Sequence, residues 1–135
     1  YFTGYDEEDG CPDMGGSAIT ETFGVGGMAM IAAPAVTRFV GAGGYEDALR
    51  VSNEMAEITI DHNPNFIIPT WNFQGTCLGI DARLVVEKGI TSVINTGIAH
   101  KIAGYGQVGA GTVHPPMECF EKAIVAYAKK LGFEA

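Results

Sequence analysis

The stretch Asn95-Thr96-Gly97-Ile98-Ala99-His100-Lys101 gathers an amide, a hydroxyl, an imidazole and an ammonium in a short run. His100 can give or take a proton near neutral pH, and Lys101 can hold an anion. An equal alternative makes His100 a hydrogen-bonded structural histidine and Lys101 a surface charge. A second candidate is Gly24-Val25-Gly26-Gly27, because free N–H groups at the start of a helix attract phosphate or carboxylate. It is neither GxxxxGK[ST] nor GxGxxG, so nucleotide motifs are absent. Asp13, Ser17, Thr20 and Glu21 form a polar lead-in to it. The loops Gly104-Tyr105-Gly106 and Gly109-Ala110-Gly111 could line a site or simply turn the chain. There is no GxSxG elbow, and His62, His100, His114 and the cysteines lack metal-ligand spacing. Neither a metal nor a cofactor is expected.

These groups need elements to position them. Residues 28–40 are apolar apart from Thr37 and Arg38 and lie between two glycine clusters, which predicts a buried central helix. Pro34 should kink or break it. At about 13 residues it is too short for a bilayer, which needs about 20. Residues 45–58 predict an amphipathic helix with Glu46 and Asp47 at its positive end. Residues 80–88 predict a short helix stopped by Gly89, with a buried strand at 91–95. In such an αβ unit a ligand binds past the strand's carboxyl end, here Asn95-Thr96-Gly97. Strands are also predicted at 1–5, 66–73 and 106–113, with a turn at 61–64. Trp71 and Phe73 should share one face, with Trp71 in the core. A last helix, 117–131, carries a stripe of Met117, Phe120, Ile124, Tyr127 and Leu131 and should pack on the core. The expected class is α+β: a buried apolar central helix, amphipathic helices on a small mixed sheet, and glycine-rich loops.

A chain of 135 residues suits a single domain with a real core. A net charge of −8 and the absence of a basic stripe argue against nucleic acid and anionic membrane as partners. The run Asp6-Glu7-Glu8-Asp9 reads as a solvated acidic loop. Three cysteines without CxxC spacing suggest a reducing cytoplasm, with Cys77 and Cys119 as buried small hydrophobes. The chain opens on Tyr1 in strand-like residues, so a carboxyl-terminal domain or fragment of a longer protein is expected.

The strings CPDMGGSAITETFGVGG, APAVTRFVGAGG and INTGIAHKIAGYGQVGAGTVHPPMECFEKA resemble the carboxyl-terminal part of the AllG/YlbE-type family, over essentially all of the chain. That family includes a subunit of the bacterial oxamate carbamoyltransferase of anaerobic allantoin breakdown. The resemblance implies an oligomeric complex with an FdrA-like partner subunit, acting on small anionic substrates (phosphate, oxamate-like). On that reading Gly24, Gly26, Gly27, Ser17, Gly97 and Lys101 would serve anion binding, Asn95 or Thr96 the carbonyl, and His100 the leaving nitrogen. The STRTR-like phosphate loop of the usual carbamoyltransferases is absent. The alternative is a non-catalytic assembly domain that docks partner subunits through the Trp71 strand and an acidic rim.

Overall fold

The computed structural model describes residues 1–133 and is α+β, as the residue pattern predicts. At its centre a 3-10 segment, Gly26–Ala32, buries Met28, Ala29, Met30 and Ile31. The expected break falls at Pro34, which is the first residue of a separate helix (Pro34–Phe39). The central helix is therefore split before Pro34, and its first part is kinked again at Ala29, where φ is −134° and ψ 40°. Residues 27–31 of the first part are buried, whereas after the break only Thr37 and Val40 still face inward.

Numbered in chain order, the helices are α1 (Gly16–Glu21), α2 (Pro34–Phe39), α3 (Tyr45–Glu57), α4 (Ala82–Lys88) and α5 (Met117–Lys130). Helix α3 lays Ala48, Val51, Ser52 and Met55 on the central segment, at the spacing of one helical face. Ser52 Oγ accepts the Ile31 N–H at 3.0 Å, so the two elements are joined by a buried hydrogen bond as well as by packing. No helix among the described residues is long and apolar enough to cross a membrane.

The sheet is not mixed. Strands β1 (Thr59–Ile68) and β2 (Gln74–Ile80) form one antiparallel pair, and β3 (Ile94–Ala99) and β4 (Gln107–Val113) form another. Residues 61–64, expected as a turn, lie inside β1, where a register shift between Asn63 and Ile67 accommodates Pro64. The expected strand 66–73 stops at Ile68 because Pro69 starts a 3-10 turn, followed by Asn72 and Phe73 at positive φ. That turn separates the two aromatics: Trp71 is 5% exposed and Phe73 71%. Trp71 is thus core, with its indole N–H donating to Asn53 Oδ1 at 3.0 Å, and it offers no docking strand.

The predicted strand 91–95 begins at Ile94 and continues to Ala99, and it pairs with the strand that follows it. This is a hairpin, so the αβ-unit rule for ligand position does not apply. Residues 1–5 form a turn beside β4, with Phe2 N–H donating to Val108 O at 2.9 Å, and not a strand. Helix α5 has no buried residue; Met117 and Phe120 touch the core and the rest lies along α4. Its apolar stripe is divided between α4 and solvent, which leaves Tyr127 and Leu131 exposed. Cys77 is buried as expected, and burial pushes its thiol pKa up, whereas Cys119 is exposed on α5.

Candidate functional site

Helix α1 ends on Glu21, whose carboxylate joins two elements. Its Oε2 accepts the Gly27 N–H at 2.7 Å and the Asn95 N–H at 2.7 Å. The Gly27 N–H belongs to the first turn of the central segment, so the glycine-rich turn does receive an anion: a carboxylate of the chain itself. Its glycines have a second cause. Gly24 has a φ of +109°, and a Cβ there would stand 2.1 Å from Cys77 O. A Cβ on Gly27 would stand 2.2 Å from Val93 O. Bare backbone lets the central segment lie directly against the β2 backbone and the approach to β3.

Beside this junction opens a pocket of about 460 Å³. Ala29 lines it from the central segment, Val25 and Ala33 from the residues flanking that segment, Val36 from α2, and Phe66 and Ile67 from β1. Met30, Thr76, Asn95 and Gly26 also line it, as do Ala32, Asn65 and Ile68. The volume lies in the ordinary range for small-molecule sites, and the walls are mostly apolar with a few polar groups. Thr76 is 4% exposed, and its Oγ1 has no hydrogen-bond partner among the described residues; nor has Asn95 Oδ1. Unsatisfied buried acceptors cost about 1–3 kcal/mol each. The Asn95 Nδ2 meets only the Met30 sulfur, at 3.6 Å. No lysine or arginine lines the pocket.

The structure brings Asn95, Gly26 and Gly27 to one place, and Glu21 is what binds them. Gly24 sits behind them against β2. Thr96 and Gly97 continue β3, paired with Gly111 and Ala110, and Ser17 lies on α1, which packs on β3. His100 and Lys101 are at the other end of that strand, about 16 Å from Asn95 for an extended chain. The His100 side chain is 6% exposed. Its Nδ1 accepts the Ile102 N–H at 2.9 Å, so in the neutral ring the proton sits on Nε2, 3.7 Å from an Asp9 carboxylate oxygen. The ring stacks on Tyr105 at 4.2 Å and meets the Tyr5 ring edge-on. Lys101 donates its N–H to Asp9 O at 2.8 Å and its ammonium to the Glu8 carbonyl. Together the two residues fasten the acidic loop to the β3–β4 hairpin. Thr76 lies in a span for which the residue pattern predicts no element, and that pattern offers Glu21 no partner. The alternation Thr76-Cys77-Leu78 next to glycine was the available sign of a strand.

An α+β unit with two antiparallel hairpins on a buried 3-10 segment, and an uncharged pocket between them, is what fold and site define. No protein-family model matches the chain. It is 64% identical over 132 residues to the oxamate carbamoyltransferase subunit AllG of Escherichia coli (strain K12), covering 98% of this chain and 32% of that protein. It is 52% identical over 131 residues to the uncharacterized protein YahG of the same organism, covering 97% of this chain and 28% of that one. A crystal structure of a conserved protein of unknown function from Enterococcus faecalis V583 matches with a TM-score of 0.82 at 52% identity, over 93% of this chain and 30% of that one. The chain spans about a third of the length of the curated relatives it matches. The resemblance to AllG-type proteins is borne out along nearly all of this chain.

Proposed function

We propose that the chain is one domain, the carboxyl-terminal part of a longer subunit of a carbamoyl-transferring enzyme. The observation that carries this is the 64% identity to a protein named as an oxamate carbamoyltransferase subunit. The reaction is oxalurate plus phosphate giving oxamate plus carbamoyl phosphate, in allantoin nitrogen catabolism. A phosphate oxygen attacks the ureido carbonyl, the C–N bond to the oxalyl side breaks, and the phosphate's proton ends on the leaving nitrogen. The Gly24–Gly27 turn is taken by the Glu21 carboxylate, so the anionic groups of the substrates are bound by donors from outside this turn. The partners are an FdrA-like subunit and further copies, and the compartment is the cytoplasm. Exposed Met14, Ile19 and Phe133 suit a unit that other parts of a larger assembly cover.

A second reading, a non-catalytic assembly domain, is favoured by the way His100 and Lys101 are engaged in holding the acidic loop. Carbamoyl phosphate formation by the full-length subunit with its partners separates the two. If His100 and Lys101 take part in the reaction, His100→Ala and Lys101→Ala each lower turnover by about 10²-fold. Near-normal turnover in both variants removes those two residues from the reaction and leaves them as fasteners.

A further inference from the structure

We propose that the pocket beside Asn95 takes the uncharged carbamoyl end of a substrate, a primary amide, and leaves the anionic end outside. This rests on the carbamoyl-transfer reading and names what the site holds. The charge pattern argues first. No lysine or arginine lines the pocket, and the Glu21 carboxylate already takes the N–H groups of Gly27 and Asn95 next to it. A phosphate or carboxylate moving in would give up its water for apolar walls and a neighbouring negative charge.

A primary amide meets different conditions. It brings two N–H donors, and Asn95 and Thr76, which both line the pocket, each hold a buried side-chain oxygen with no partner among the described residues, which a rotation of the side chain would present to it. The Thr76 hydroxyl can also donate to the amide carbonyl. Val25, Ala29, Val36 and Phe66 surround these groups with apolar surface. The volume of about 460 Å³ exceeds a carbamoyl group, so the rest of the substrate has room to reach outward to cations that these walls do not supply.

The probes are propionamide and propionate, which share a shape and differ in charge. Saturation-transfer NMR on the full-length subunit measures their binding to the wild type, Asn95→Ala and Val36→Trp. Val36 is 44% exposed, so tryptophan there fills the pocket mouth without entering the core. Propionamide is expected to bind about tenfold more tightly than propionate, and each variant to weaken it about tenfold. Equal binding of the two probes, no binding of propionamide, or propionamide binding that both variants leave unchanged overturns the proposal. The measurement needs no turnover. Failure of carbamoyl transfer would therefore remove the reaction while leaving the amide site standing, and the reverse result would do the opposite.

Discussion

Glu21 shows how much one side chain organises here. Its carboxylate takes N–H groups from two elements distant in sequence, at Gly27 and Asn95. Hydrogen bonds to a charged acceptor contribute about 1.5–3 kcal/mol each, and their loss leaves part-buried donors unpaired. Glu21→Ala should therefore lower the unfolding free energy by about 3 kcal/mol, read from the midpoint of urea denaturation, whereas Glu21→Gln keeps an oxygen acceptor and should lose less. Equal stability of Glu21→Ala and wild type would mean that the junction is satisfied by other groups. The residue's type and place were legible in the sequence, and so was the attraction of the glycine turn for an anion. The source of the anion was not, because pairing Glu21 with Asn95 depends on how β3 is brought beside α1.

At the scale of elements, the central segment sits so close to its neighbours that side chains have no room at key positions. Gly27→Ala would drive a Cβ into the Val93 carbonyl, and overpacking against backbone costs about 3 kcal/mol. A fall in melting temperature of several degrees is expected, and an unchanged melting curve would mean that the segment can shift away. Helix α4 gives a pH-dependent counterpart. Asp81 caps it by accepting the Arg83 N–H at 2.9 Å and also pairs with the Arg83 guanidinium, which holds its pKa down at about 2. Because the folded pKa is depressed, this stabilisation is present above about pH 4 and lost as pH falls towards 2. Wild type and Asp81→Asn should thus differ in melting temperature at pH 7, with the difference shrinking below about pH 4 and gone only below about pH 2. Helices α3, α4 and α5 were legible because their periodicity, caps and stop glycines are local signals. The hairpins were not. Asn63-Pro64 has the composition of a turn but is absorbed by an irregularity in β1, and β3 pairs with the strand after it in a way that no local pattern encodes.

Over the whole molecule, the pocket and the His100 cluster stand at opposite ends of β3 and divide two roles. One end offers an open, mostly apolar pocket without lysine or arginine beside Asn95. The other ties down an acidic loop through His100 and Lys101. Any cation that neutralises the anionic end of a substrate beside the pocket must come from outside its walls, and this chain spans only about a third of its relatives' length. The central claim, membership in a carbamoyl-transferring subunit, is tested most directly by carbamoyl phosphate formation from oxalurate and phosphate. The full-length subunit is assayed alone and with its partner subunits. The account predicts product with the partners present and a loss of about tenfold or more in Asn95→Ala. Absence of product in every combination of subunits would contradict it.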